Sequence, residues 1–166
     1  MASISNHHLV DAVLRVERMG FQDRQRLAED VHAGQPNLFF SVLALQRYGA
    51  TLEQIEVVLN LLLVFHEAMK NSGASWPVIS EDVQERCLTR ITGRVRFIEG
   101  LSPQLQMQAT SNAVGDHPEQ VLLAYVYGKF MEHGLLGIKS EAQKMLLLSA
   151  LNLVECIAQT APRTGK

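Results

Sequence analysis

The chain has 166 residues, of which 47% are hydrophobic and 19% are charged, so it is apolar for a globular protein and poor in charge. It carries 15 Lys and Arg residues against 17 Asp and Glu, for a net charge of −2, and nucleic acid is therefore not the expected partner. Cys87 and Cys156 lie in apolar-periodic segments, and we expect buried thiols, not a disulfide. The amino terminus lacks the pattern of a secretory signal, which favours a cytoplasmic location.

Glycine, proline and capping residues predict four helices in the first part of the chain. Gly20 and Gly34 end the first two, Pro36 opens the third and Gly49 closes it. Thr51 caps the fourth, with Gln54 in capping-box spacing. The predicted helices cover residues 7–19, 22–33, 36–48 and 51–70.

The fourth of these helices is apolar on all sides. From Val57 to Phe65 the only polar residue is Asn60. This run is shorter than the roughly 20 residues that a bilayer requires, and charged residues flank it at both ends. The pattern therefore predicts the buried central helix of a folded core, not a membrane span.

The segment 71–79 breaks the helical pattern, and four more helices follow it. Ser80 caps a helix that runs to about residue 98 and ends at Gly100. Ser102 and Pro103 start a short polar helix, and Pro118 is predicted to open the next one. The predicted helices cover residues 80–98, a stretch after 103, 118–133 and 140–158. The predicted fold class is all-α, with about eight helices.

The two halves show the same order of punctuation. Pro36 and Pro118 each precede an apolar helix, and Thr51 and Ser140 each begin a capping box before an all-round apolar helix. We interpret this as a tandem duplication of a four-helix unit, packed as one pseudo-two-fold domain over residues 1–166. The first repeat covers about 5–72, a linker about 73–79 and the second repeat about 80–160, followed by a tail at 161–166.

Polar residues in the two central helices are the first candidates for a site. Lys70 stands where a zinc protease that uses His66 would need its second histidine. In the aligned halves His66 corresponds to Glu155. A pseudo-two-fold axis would bring this pair together as buried polar groups, whereas the alternative leaves both residues in solvent. Asn60 is expected to bond to a polar group on a facing helix, because an unpaired buried amide costs about 1–3 kcal/mol.

Arg86, Arg90 and Arg94 form a basic stripe with helical spacing. Such a stripe could contact an anion or an acidic partner. Asp82 and Glu85 precede it by one turn, so a solvated, ion-paired face is the competing interpretation. The sequence shows no catalytic constellation, no metal-ligand set, no cofactor motif and no motif of a known family.

An excess of apolar residues on two helices predicts self-association. The aromatic side chains expected at that interface are Phe39, Phe40, Tyr125, Tyr127 and Phe130. The predicted function is that of a non-enzymatic protein–protein interaction or adaptor protein, acting as a homodimer. The alternative is a helical bundle that binds a small molecule in a pocket between the two halves.

Overall fold

A computed structural model describes residues 2–162, which form eight α-helices and contain no strand. The prediction of an all-helical chain with about eight helices is confirmed for this range, while residues 163–166 of the predicted tail lie outside it. The elements are α1 (Asn6–Glu17), α2 (Phe21–Gly34), α3 (Pro36–Leu43), a 3₁₀ turn (Ala44–Tyr48), α4 (Leu52–Asn71), α5 (Glu81–Glu99), α6 (Pro103–Gly115), α7 (Gln120–Glu132) and α8 (Glu141–Thr160).

Side-chain caps begin four of the eight α-helices, namely α1, α4, α5 and α8. Thr51 and Gln54 form both hydrogen bonds of the predicted capping box at α4. At α8 the Ser140 hydroxyl accepts from the backbone N–H of Gln143, but the Gln143 side chain accepts from the backbone of Lys139 instead of Ser140. Caps of this kind satisfy N–H groups that the first turn of a helix leaves without a partner.

One predicted helix changes type before its end at Gly49, and one predicted helix start is wrong. The third helix is α-helical only to Leu43 and then tightens into the 3₁₀ turn, which ends at Gly49 with a φ of +88°. Pro118 does not open a helix, because α7 begins at Gln120 and Pro118 lies in the preceding turn. The rigid proline ring suits a turn as well as a first helical residue, so the spacing alone did not distinguish the two.

The core is built on α4 and α8, which pack against each other. Helix α1 packs mainly on α4, and α5 mainly on α8. Phe65 on α4 and Leu153 on α8 are almost fully buried, as expected for helices that are apolar all round. No helix within residues 2–162 combines the length and the apolar character needed to cross a membrane.

The segment before the first helix of each half is held by the other half. Ahead of α5, the Gln35 side-chain amide donates to the carbonyl of Pro77 and accepts from the backbone N–H of Ile79, both at 2.9 Å. Ahead of α1, the Glu119 carboxylate accepts from the backbone N–H groups of Ser3 at 2.8 Å and Ile4 at 3.3 Å. We call these two arrangements the Gln35 clasp and the Glu119 clasp.

Both clasps are buried. Gln35 and Glu119 are 4% and 1% exposed, and Ile4 and Ile79 are inaccessible to solvent. The side chains therefore satisfy backbone groups that burial would otherwise leave unpaired.

The second helix of each half packs differently. In α2, Leu27 and Val31 are buried against the body of the first half. Helix α6 has no buried residue, and it packs on its neighbours α5 and α7 but not closely on the central helix α8. This difference leaves space beside α8.

Candidate functional site

The space between α6 and α8 is an apolar groove of about 1010 Å³. Its floor is formed by Leu147 and Leu151 of α8, and Val95 and Ile98 of α5 line one side. Small-molecule sites in proteins have volumes of roughly 300–1,000 Å³ and mostly apolar linings. We call this space the α6 groove.

The wall of the α6 groove contributed by α7 is made of small side chains between larger ones. Ala124 and Gly128 leave depth where a larger residue would fill it, and an added Cβ at Gly128 would meet no atom within 4 Å. Tyr127 and Met131 project from the same helix, and Met107 of α6 faces the groove from the opposite wall. Met107 and Met131 are 75% and 70% exposed, and methionine is a residue that adapts to irregular apolar surfaces.

Polar groups lie at both ends of the α6 groove. Thr110, Ser111 and Gln120 line the end next to the α6–α7 turn, and their side chains make no hydrogen bond to any atom of residues 2–162. At the other end Glu99 is paired with Lys144, at 3.7 Å between Oε1 and Nζ.

Known proteins supply no assignment. The chain matches no protein-family model, and no curated protein or solved structure is significantly similar to it. The chemistry of the site therefore has to be inferred from its own residues.

Two members of the predicted basic stripe on α5, Arg90 and Arg94, belong to a second polar cluster, whereas Arg86 forms no ion pair with any residue of 2–162. The Arg94 guanidinium donates to Glu155 Oε1 at 3.1 Å, and Arg90 Nη2 lies 3.6 Å from the same oxygen. The other carboxylate oxygen lies 2.9 Å from His117 Nε2. Glu155 thus pairs with His117 and the two arginines, so neither of the two alternatives from the sequence, a pair with His66 or a position in solvent, describes it. Pairing of Arg90 or Arg94 with the acids of their own helix is not observed within residues 2–162.

The geometry of His117 argues against a catalytic role for this cluster. His117 Nδ1 accepts the backbone N–H of Glu119 at 3.0 Å, so the remaining proton is on Nε2, which donates to Glu155. Both ring nitrogens are occupied, and neither is free to take a proton from a substrate. The hydrogen bond from His117, with Arg94 close by, lowers the pKa of Glu155 below its ordinary value despite burial. The cluster joins α5, the start of α7 and α8.

The other predicted polar residues lie in the first half. Asn60 is half-buried and accepts a hydrogen bond from Arg24 of α2 at 3.0 Å. Burial, with Lys70 nearby, lowers the pKa of His66. Glu67, beside it, is buried and pairs with Lys70 at 3.1 Å and with Arg15 at 3.6 Å. No group of three or more metal-ligating side chains occurs within residues 2–162.

The predicted aromatic interface residues are divided among three environments. Phe40 is 55% exposed and makes edge contacts with Phe39 and His32, at ring-centroid distances of 6.0 and 5.2 Å. Tyr125 and Tyr127 are half-buried, and burial raises the pKa of both phenols. Phe130 is fully buried in the core, so it adds nothing to an exposed patch.

The cysteines are buried, as expected. Cys87 and Cys156 are free thiols on the facing helices α5 and α8. Arg90 Nη2 donates to Cys87 Sγ at 3.4 Å, and burial raises the pKa of Cys156.

Sequence reasoning did not find the α6 groove. The prediction placed a pocket between the two halves, whereas this groove lies within the second half. The available signal was α6 itself, whose thirteen residues carry no regular apolar stripe. A helix that cannot bury a stripe packs loosely and leaves the neighbouring surface open.

Proposed function

We propose that this protein binds a small apolar molecule in the α6 groove and does no chemistry on it. The observation that carries the proposal is the lining of that groove, in which apolar side chains from four helices converge on Leu147 and Leu151. Burial of a ligand there gains about 25 cal/mol for each Å² of apolar surface removed from water.

The size of the α6 groove favours a small molecule over a partner helix. An α-helix with its side chains is roughly 10–12 Å across, and α6 is still in contact with both α5 and α7. A groove of about 1010 Å³ lies near the upper limit for small-molecule sites. A slender molecule fills such a space without displacing α6.

Binding of Nile red, an uncharged apolar dye, tests the proposal. We expect saturable fluorescence enhancement with the wild-type protein and its loss in Gly128→Phe, because the new ring fills the α6 groove. Gly93→Phe is the matched control, since Gly93 is an exposed helical glycine with no atom within 4 Å of an added Cβ and it does not line the groove. Equal dye binding by both variants would refute the proposal.

The second candidate function is protein–protein contact through a homodimer. The observation in its favour is the exposed aromatic surface on α3, where Phe40 stands over Phe39 and His32 and Leu43 lies one turn further on, 41% exposed. Apolar surfaces of this kind are common at interfaces. Sedimentation equilibrium at micromolar concentration is expected to give a dimer mass for the wild type and a monomer mass for Phe40→Glu. A monomer mass for both removes this candidate.

We also propose that the chain is a tandem duplication with pseudo-two-fold packing. Ser5 and Ser80 cap the first helix of each half, and in each case the preceding isoleucine is buried in a clasp supplied by the other half. An arginine follows each serine by ten residues, and each arginine pairs with a glutamate on the central helix of its own half. The distance is 3.6 Å both for Arg15 with Glu67 and for Arg90 with Glu155. Reciprocal clasps are what a two-fold arrangement of equivalent units produces. The two ion pairs are similar to each other, although Glu67 and Glu155 lie one position apart in the aligned halves. A single domain and a cytoplasmic location stay predictions.

A further inference from the structure

The α6 groove is elongated and has two chemically different ends. Its lining on α7 extends from Gln120 to Met131, which is about 16 Å along the helix axis. Because α6 and α7 are consecutive helices joined by a short turn, Ser111 lies near the Gln120 end and Met107 near the Met131 end.

The end beside the α6–α7 turn is polar and carries no charged lining residue. Thr110, Ser111 and Gln120 bring two hydroxyls and one amide there, and these groups have no hydrogen-bond partner within residues 2–162. Hydroxyl and amide groups can both donate and accept, so they suit an uncharged head group that does the same.

The opposite end is apolar apart from one ion pair. Met107, Met131 and Ile138 line it, and Glu99 is the only carboxylate in the lining, held by Lys144. The amide nitrogen of Gln106 does not bind a ligand, because its N–H groups donate to the carbonyls of Glu99 and Leu101 at 3.3 and 3.0 Å.

We infer that the ligand is a neutral amphiphile with one alkyl chain, whose hydroxyl or amide head lies at Thr110, Ser111 and Gln120 and whose tail lies along Met131 and Ile138. This inference rests on the proposed function of the α6 groove. The lining contains no lysine or arginine for a carboxylate head to pair with, and its one carboxylate, Glu99, is already paired with Lys144. Ser111 and Gln120 are exposed and Thr110 is half-buried, so a charged head beside Thr110 would lose part of its hydration without gaining a counter-ion. A hydroxyl head that hydrogen-bonds to Thr110 avoids that cost.

The experiment is displacement of bound Nile red by three molecules with the same chain, namely dodecanol, dodecanoate and dodecylamine, each below its aggregation concentration. We expect dodecanol to displace the dye at a concentration about ten-fold or more below that of either charged analogue. In Thr110→Val with Gln120→Leu, the ratio between the displacing concentrations of the charged analogues and of dodecanol should shrink. Gln104→Leu is the control, because Gln104 is exposed on the same helix and does not line the α6 groove.

The outcomes separate the two proposals. If Nile red does not bind, the proposed function fails and this inference fails with it. If the dye binds but dodecanoate or dodecylamine displaces it as well as dodecanol does, the inference is wrong and the binding function stands. An alcohol preference that survives the double substitution at Thr110 and Gln120 would overturn the assignment of the head group to that end.

Discussion

Each half of the chain has four α-helices, but the second helix packs closely in the first half and loosely in the second. In α2, the buried side chains are Leu27 and Val31, which lie seven and three positions before Gly34. The residues at the same positions before Gly115 are Gln108 and Asn112, both exposed. The second helix of the first half therefore has two buried apolar side chains that the second helix of the second half lacks, and the groove lies beside the central helix of the second half.

Leucine truncation in the two helices gives the largest contrast between the halves. Leu27→Ala is expected to lower the free energy of unfolding by about 2–4 kcal/mol, because Leu27 is buried and its removal leaves a cavity. Leu105→Ala in α6 should change it by less than about 0.5 kcal/mol, since Leu105 is 49% exposed. Urea unfolding measures both. Similar losses would show that α6 is as tightly packed as α2.

The ion pairs provide the next contrast. Glu155→Gln is expected to cost about 1–3 kcal/mol, because the carboxylate accepts hydrogen bonds from His117 and Arg94. Since the pKa of Glu155 is lowered in the folded state, its contribution is complete above its ordinary value of 4.5 and is lost as the pH falls through the lowered value. Unfolding followed against pH should therefore be less steep on the acid side in Glu155→Gln. If the free energy of unfolding falls equally steeply at acid pH in the wild type and in Glu155→Gln, then Glu155 does not cause that fall.

Two glycines, one in each half, should respond in opposite directions. Gly128→Ala is expected to add about 0.5–1 kcal/mol, because it lies within α7 and an added Cβ meets no atom. Gly49→Ala should destabilise by at least about 1 kcal/mol, because its φ of +88° strains any residue with a side chain. Thermal unfolding of the two variants checks the signs. Stabilisation by both would mean that the turn after α3 is not left-handed in solution.

The smallest expected effect is the pH response of the first half. Burial lowers the pKa of His66, so the unfolded chain binds more protons there than the folded chain just below pH 6.5. The free energy of unfolding should therefore decline as the pH falls below that value. His66→Gln should flatten this part of the profile and leave the part due to Glu155 unchanged. If the free energy of unfolding declines equally in His66→Gln, a titrating group other than His66 causes the decline.

The helices could be predicted from the sequence, because their signals are local. Gly34, Pro36, Thr51 and Ser80 act on backbone groups a few residues away. The buried face of α1 was predicted only in part. The apolar spacing of residues 7–19 predicts a core-facing set of Val10, Val13, Leu14 and Val16. Val16 is buried, but Val10 and Leu14 are 44% and 42% exposed, and Leu9 and Ala12 are buried. Several faces of a short helix carry apolar residues, and the neighbouring helices decide which one is buried.

The site could not be predicted, because it depends on contacts between residues far apart in the chain. The sequence left Glu155 either beside His66 or in solvent, but α5 and the turn before α7 bring Arg94 and His117 to it. The α6 groove arises because α6 has no apolar stripe to pack on α8. The absence of such a stripe in one helix does not show which neighbouring surface stays uncovered. Only the folded structure shows that the hydroxyl of Thr110 and the amide of Gln120 line the same end of the α6 groove.

The two clasps have a consequence for dividing the chain. Ile79 of the second half depends on Gln35 of the first, and Ile4 of the first half depends on Glu119 of the second. A cut at about residue 73 would leave each fragment with a buried isoleucine uncovered and a clasp residue without its partner. The two fragments should therefore be poorly folded alone and recover the fold when mixed, which makes the protein a natural candidate for fragment complementation.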